Sequence, residues 1–153
     1  MPPLEKGYPM RKLLPLLLAA AALADAPKPP STEEPLVASP QSAKFTDSTT
    51  PNSPKGAQGA MIGVDPNTKG ATAYAKTPAG TGLPSHWHSF AEYTVLLSGK
   101  GTLLLDGKEH PAEAGTYFVI PAKIVHRFTC GAGTDCLLLT RRAGPTDYNF
   151  VKQ

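Results

Sequence analysis

The sequence lacks the features that build helical and nucleic-acid-binding proteins. It contains 17 prolines and 14 glycines in 153 residues, and residues that end or weaken helices at this frequency exclude long helices. Lysines and arginines form no stripe, and the formal net charge is only +3, so a nucleic acid is excluded as a partner. Aromatic residues are few, at 7%. The hydrophobic fraction of 41% suffices for one core. Together these values favour a single all-β domain.

The longest apolar stretch lies near the N-terminus, at residues 13–23. It is shorter than the about 20 residues that span a bilayer, and Pro15 interrupts it. Arg11 and Lys12 precede this stretch and small residues follow it, which is typical of a secretory signal peptide. We predict a cleaved signal peptide at residues 1–24, with Met10 as an alternative start. The protein is then secreted or periplasmic, without membrane contact after cleavage.

Residues 25–55 differ in composition from the rest of the chain. They contain seven prolines among Ser, Thr and Lys and few large apolar residues. Such a segment buries too little surface to offset the entropy lost on ordering. We predict a Pro/Ser/Thr-rich linker, in which the Leu36–Val37 and Phe45 islands are able to dock on a folded domain at residues 56–153.

Short apolar segments separated by turn residues fill this domain. Asp65–Gly70 and Asp106–Gly107 carry strong turn signals. This rhythm predicts a β-sandwich or small barrel. The predicted strands are residues 60–64, 71–76, 92–97, 102–105, 109–113, 116–120, 125–129 and 136–141.

Three candidate metal ligands lie within seven positions of one glycine-bracketed segment, Gly80–Gly99. In a strand, His86 and His88 point to one face, so a single strand presents two imidazoles to one interior point. Glu92 follows after a short turn and offers a carboxylate. His126 lies far along the chain and has to converge from a neighbouring strand. His110 stands in a Lys-Glu-His-Pro turn, and we expect it to be solvated.

Cys130 and Cys136 are the only cysteines. Two cysteines this close in an exported chain usually pair, and we predict a disulfide across a tight hairpin. The alternative is a metal-bound thiolate, because Cys130 lies four residues beyond His126 and therefore on the same face of a strand.

The ligand pattern resembles that of the cupin superfamily over roughly residues 60–142. Gly80–Gly99 matches the first cupin motif, G-x5-H-x-H-x3-E-x6-G, at every defined position. Lys123 and Cys130 replace a glycine and the asparagine of the second motif, G-x5-P-x-G-x2-H-x3-N. These departures concern the turn framework and leave the ligands intact. The second motif is otherwise met by Gly115, Pro121 and His126.

The resemblance implies a double-stranded β-helix, the cupin jelly-roll barrel, that holds one divalent transition metal. It also implies a homodimer formed through outward strand faces. The residues expected at this dimer surface are Trp87, Tyr93, Val95 and Leu97. The alternative is that these residues pack beneath the N-terminal strands. The implied metal ligands are His86, His88, Glu92 and His126.

The metal is not specified by the ligands, since cupins use manganese, iron, nickel, copper or zinc. Export favours copper, because the order of metal affinities outside the cell favours copper and zinc. We predict a secreted oxidoreductase that activates dioxygen or peroxide, with Glu92 holding the metal and shuttling a proton. The expected substrate is extracellular: a plant-derived or phenolic small molecule, or a polysaccharide.

Two alternatives remain. A metal-dependent lyase or isomerase would use the ion to polarise a carbonyl or carboxylate. Cupin lyases that act on dimethylsulfoniopropionate often have a tyrosine two residues after the motif glutamate, where this chain has Thr94. A non-catalytic sugar- or metal-binding cupin is the other alternative.

Overall fold

The computed structural model describes Ser31 and residues 35–152. The predicted signal peptide and the first part of the predicted linker lie outside the described residues. Regular structure in the described part is β-strand, which confirms the all-β prediction. This part contains no helix long and apolar enough to cross a membrane.

The described residues form 11 strands. All eight predicted strands are present, with ends within two residues of the prediction. The three others have two residues each, too few for a hydrophobic pattern to be visible. The strands are β1 (Thr46–Asp47), β2 (Gln58–Val64), β3 (Ala71–Thr77), β4 (His86–Trp87), β5 (Glu92–Ser98), β6 (Lys100–Leu105), β7 (Lys108–Glu113), β8 (Tyr117–Ile120), β9 (His126–Cys130), β10 (Cys136–Arg142) and β11 (Asn149–Phe150).

Two antiparallel sheets form the jelly-roll barrel. One has six strands in the order β1-β2-β3-β10-β5-β8, and the other has five in the order β11-β4-β9-β6-β7. Strand β5 alternates in burial: Glu92, Thr94 and Leu96 are buried, whereas its other side chains are partly or largely exposed. Leu96 of the six-stranded sheet and Leu103 of the five-stranded sheet belong to one core cluster. The core therefore lies between the two sheets.

The sheet begins before Gly56, where the sequence predicted the start of the domain. Thr46 and Asp47 of β1 pair with Gly59 and Gln58 of β2. Phe45 docks against Tyr74 with 6.4 Å between ring centroids. In contrast, the Leu36–Val37 island remains exposed.

The disulfide between Cys130 and Cys136 is confirmed, with 5.8 Å between the Cα atoms. The predicted hairpin is wrong. Strand β9, which ends at Cys130, pairs with β4 and β6, whereas β10, which begins at Cys136, pairs with β3 and β5. The loop between the cysteines crosses from one sheet to the other, so the disulfide joins the two sheets. The bonded Cys130 cannot supply a thiolate to a metal.

The four residues expected at a dimer surface are divided between the sheets. Trp87 belongs to the five-stranded sheet, whereas Tyr93, Val95 and Leu97 alternate with the buried side chains of β5 in the six-stranded sheet. The N-terminal strands β1 and β2 lie at the far edge of that sheet from β5. Only the β5 residues therefore share one outward face.

Candidate metal centre

Three histidines converge inside the barrel. His86 and His126 are directly paired across β4 and β9, and His88 follows β4 by one residue. All three side chains are buried, and one candidate ligand atom from each lies within 4.8 Å of the others. The structure therefore brings together the three imidazoles that the sequence predicted.

Backbone carbonyls orient each imidazole ring. The Nδ1 atom of His86 lies 2.7 Å from the carbonyl oxygen of Pro84, and that of His126 lies 3.0 Å from the carbonyl oxygen of Ile124. Nδ1 of His88 contacts the carbonyl oxygen of Asp147. A carbonyl only accepts hydrogen bonds, so Nδ1 must carry the proton and Nε2 presents a lone pair. Such outer hydrogen bonds are typical of metal-bound histidines.

The residues present fit a metal ion. Nε2 of His88, which presents a lone pair, and Oε2 of Glu92 are buried 3.2 Å apart, and a bound cation would stabilise two acceptor atoms at this distance. Burial lowers the pKa of His86 to about 4 and also lowers the pKa of His126. Both rings are therefore neutral at pH 7, the state in which an imidazole binds a metal.

Glu92 lies beside the three histidines at the start of β5. Its Oε2 atom is 3.2 Å from Nε2 of His88 and 2.8 Å from Nη1 of Arg142, and its Oε1 accepts a hydrogen bond from the Thr94 hydroxyl at 2.7 Å. Burial acts to raise the pKa of Glu92, but the charge of Arg142 and the hydrogen bond from Thr94 oppose it, and the net effect lowers that pKa to about 2. The carboxylate is thus ionised, as a metal ligand requires, although its role as the fourth ligand stays a prediction.

Three residues of the site were missed by the sequence analysis: Arg142, Asp147 and Tyr148. Arg142 is buried at the end of β10, one residue beyond the predicted strand. Extending the alternation that buries Leu138 would have placed it inside the barrel. Asp147 and Tyr148 come from the irregular segment before β11, and no pattern in the sequence signals their position.

Tyr148 closes one side of the histidine cluster. Its ring centroid lies 5.0 Å from that of His88 and 5.4 Å from that of His86. Its hydroxyl oxygen is 3.4 Å from Nη2 of Arg142. Phe150 stacks on the Tyr148 ring at 6.2 Å. The C-terminal segment therefore contributes directly to the site.

A cavity of about 120 Å³ lies next to the histidines, inside the barrel. Its walls are largely apolar, and the space suits a small molecule more than a polymer chain. The apolar side chains in the wall include Leu83, Leu103, Phe118, Ile120, Phe128 and Leu138.

The structure accommodates the two departures from the second motif. Lys123 has a φ of 65°, in the left-handed region where glycine is favoured. Its backbone N–H donates to the carbonyl oxygen of His88 at 2.8 Å, which ties this turn to the segment that carries the ligands. Cys130 forms the disulfide, and His110 is exposed on β7, away from the centre, as expected.

The barrel and its inward histidines define a jelly-roll protein with a candidate mononuclear metal site. The family described as "Cupin domain" matches residues 73–140, from β3 to β10. The match supports one cupin domain in the described part of the chain.

Solved cupin structures share the fold at low sequence identity. The polyketide cyclase RemF from Streptomyces resistomycificus is 17% identical, with a TM-score of 0.64 over 78% of this chain and 87% of that chain. An RmlC-like cupin from Shewanella frigidimarina is 16% identical, with a TM-score of 0.58 over 72% and 93%. KdgF from Halomonas sp. is 14% identical, with a TM-score of 0.55 over 68% and 89%. No curated protein matches the chain. These similarities establish the fold, while the reaction has to be inferred from the site.

Proposed function

We propose that the protein is a mononuclear metal-dependent oxidoreductase that oxidises a small organic substrate with dioxygen or peroxide inside the barrel. The observation that carries this proposal is the convergence of three buried imidazoles, each with Nδ1 at a backbone carbonyl, beside a largely apolar cavity. A divalent transition metal in such a ligand set keeps open coordination positions and supplies Lewis acidity and, if redox-active, electron transfer to the oxidant.

The chain's own residues have separate tasks in this proposal. His86, His88 and His126 hold the metal, and Glu92 completes the set as a fourth ligand. Thr94 and Arg142 fix the Glu92 carboxylate through the 2.7 Å and 2.8 Å contacts on its two oxygens. A carboxylate held at both oxygens is pre-organised, which lowers the cost of ligation.

The cavity walls serve to exclude bulk water. Phe118 and Phe128 pack with 5.9 Å between ring centroids, and both line the cavity together with Leu103. A dry cavity protects a reactive oxidant from side reactions. Its small volume favours the small-molecule substrate over a polysaccharide chain.

We propose copper as the metal, because the protein is expected to be exported and to acquire its metal outside the cytoplasm. The disulfide between Cys130 and Cys136 is consistent with folding in an oxidising compartment. A protein that acquires its metal in such a compartment meets an affinity order that favours copper and zinc. Secretion itself rests on the signal-peptide pattern.

A metal-dependent lyase, isomerase or cyclase is the second candidate, and Tyr148 is the observation that favours it. Thr94, at the position where some cupin lyases have a tyrosine, is used to hold Glu92. Tyr148 instead brings a phenol beside His88 from another part of the chain. A phenol positioned there is able to donate or accept a proton without any oxidant. The polyketide cyclase RemF, whose fold is similar, has a cyclisation activity by its name.

Two measurements test the proposal. The first is elemental analysis of the protein purified from its export compartment. The second is an oxygen-consumption screen over phenolic and carboxylic substrates. We expect about one redox-active metal per chain and substrate-dependent oxygen uptake. Zinc as the only metal, with no oxygen uptake, would overturn the oxidoreductase. The second candidate would be established if the wild type forms product without oxygen and Tyr148→Phe loses this activity while keeping its metal content.

A further inference from the structure

The cavity beside the histidines contains one fixed cation among the described residues that line it, Arg142, and one carboxylate, Glu92. Only 6% of Arg142 is exposed. Burying a guanidinium is costly unless its charge and its donors are matched. Such a residue calls for a specific electrostatic partner.

The ion pair with Glu92 makes the protein's contribution to the site electrically neutral. Nη1 of Arg142 lies 2.8 Å from Oε2 of Glu92, and an imidazole binds a metal in its neutral form. A divalent metal added to this set leaves a net charge of about two positive units in a buried place. An anionic ligand is the simplest way to balance that charge.

Arg142 is also suited to bind such an anion directly. Its guanidinium pairs with Glu92, donates a long hydrogen bond of 3.4 Å from Nη2 to the Tyr148 hydroxyl, and lies over the Tyr148 ring at 5.3 Å from the centroid. A guanidinium has five N–H donors in a planar fork that matches a carboxylate. An anionic ligand is a better acceptor than the Tyr148 hydroxyl, so it would take over the hydrogen bond from Nη2 of Arg142.

We propose that the substrate carries a carboxylate, which binds between the metal and Arg142 while its short apolar body fills the adjoining cavity. This inference rests on the proposed metal site and adds the class of substrate. The cavity of about 120 Å³, walled by Leu103, Phe118 and Leu138, limits the apolar part to a few carbon atoms. Tyr148 and Arg142 together form the polar end of the pocket.

Isothermal titration of the zinc-loaded full chain tests this assignment, because zinc binds anions without redox chemistry. The probes are butyrate and its uncharged isostere butyramide. We expect butyrate to bind about 10- to 100-fold more tightly than butyramide. We also expect Arg142→Gln to lose about the same factor for butyrate when it is loaded to the same zinc occupancy as the wild type, with butyramide binding as the reference.

Two further variants separate recognition by Arg142 from general effects. Arg142→Lys keeps the charge and loses the fork, so its butyrate affinity should fall between those of the wild type and Arg142→Gln. Arg141→Gln alters the exposed neighbour that pairs with Asp65 at 3.7 Å, and butyrate should bind to it as to the wild type. Arg142→Lys also decides the question if Arg142→Gln does not fold.

The proposal would be overturned if the wild type, Arg142→Lys and Arg142→Gln bind butyrate with equal affinity. Arg142 would then serve only as a counter-ion of Glu92. Equal affinity of the wild type for butyrate and butyramide would overturn it as well. Arg142-dependent butyrate binding in a protein that consumes no oxygen would support this inference while the oxidoreductase proposal fails. Failure of the two proposals is therefore distinguishable.

Discussion

The consecutive strands β9 and β10, which lie in different sheets, bring together different groups at their two ends. One end, here called the disulfide end, consists of Cys130 and Cys136 and joins the two sheets by a covalent bond. At the other end, here called the site end, β9 begins at His126 and β10 finishes at Arg142. The same two strands thus connect a covalent link with the candidate metal centre.

The site end departs from the rules that stabilise a fold, whereas the disulfide end follows them. The site end buries an ion pair, places the lone pair of His88 Nε2 at 3.2 Å from Oε2 of Glu92 and has Lys123 in the left-handed region. The cysteines, by contrast, belong to the main core cluster. Natural proteins concentrate such departures at functional sites. The difference suggests that the disulfide end mainly supplies stability and the site end function.

The largest expected effect is the loss of metal when a site-end ligand is removed. His86→Ala deletes an imidazole that neighbouring side chains cannot replace. We expect the metal content measured by elemental analysis to fall from about one ion per chain to near zero, together with any oxygen uptake. His110→Ala, which removes the exposed histidine on β7, is the matched control and should keep its metal. Full metal retention in His86→Ala would contradict the assigned ligand set.

Acidification should destabilise the metal-free protein through the same groups. An unfolded histidine takes up a proton near its usual pKa of 6.5, whereas burial keeps folded His86 neutral down to about pH 4. Protons therefore favour the unfolded state, and the free energy of unfolding falls as the pH drops from about 6.5 to about 4. Glu92, with its pKa lowered to about 2 in the folded state, adds to this loss below its usual value of 4.5.

Urea unfolding of the metal-free chain at several pH values between 7.5 and 4 measures this effect. His86→Gln keeps a polar side chain of similar reach but does not titrate, so it should show a shallower loss of stability. An unfolding free energy that stays constant across this range would contradict the buried, neutral state of His86.

Removal of the disulfide should lower stability and spare the site. The double variant Cys130→Ala with Cys136→Ala opens a short loop, for which the chain-entropy model gives a loss of about 2 kcal/mol in the free energy of unfolding. Because the cysteines lie at the opposite end of β9 and β10 from the metal centre, we expect metal affinity to stay unchanged. Chemical reduction of the wild type should reproduce both results. A parallel fall in metal affinity would mean that the two ends are coupled.

Sequence patterns predicted the elements that depend on local spacing. The eight longer strands follow from short segments between turn signals, and the convergence of His86, His88 and His126 follows from the resemblance to two cupin motifs. The disulfide was predicted from proximity in sequence, but the hairpin was wrong because strand partners are chosen by long-range packing. Tyr148 and Asp147 escaped prediction because an irregular segment brings them to the site, and no periodicity describes its path.

The smallest expected effect comes from Asp147, which positions His88 from outside the ligand set. Its carboxylate accepts hydrogen bonds from the Ser89 backbone N–H at 3.0 Å, from the Ser89 hydroxyl at 2.6 Å and from the Asn149 amide at 2.9 Å. Its backbone carbonyl meets Nδ1 of His88 and remains after Asp147→Ala. We expect the variant to loosen this segment and weaken metal binding by about tenfold, measured by competition with a chelator.

Asp135 at the disulfide end provides the matched control for that variant. Its carboxylate accepts a hydrogen bond from the Ala79 backbone N–H at 2.9 Å, so Asp135→Ala also removes a contact between a carboxylate and the backbone. Metal affinity should remain at the wild-type level in Asp135→Ala, because that contact lies far along the strands from the histidines. Equal weakening in both variants would show that any loss of loop contacts disturbs the centre. Weakening in Asp147→Ala alone would mean that the C-terminal segment is part of the metal site.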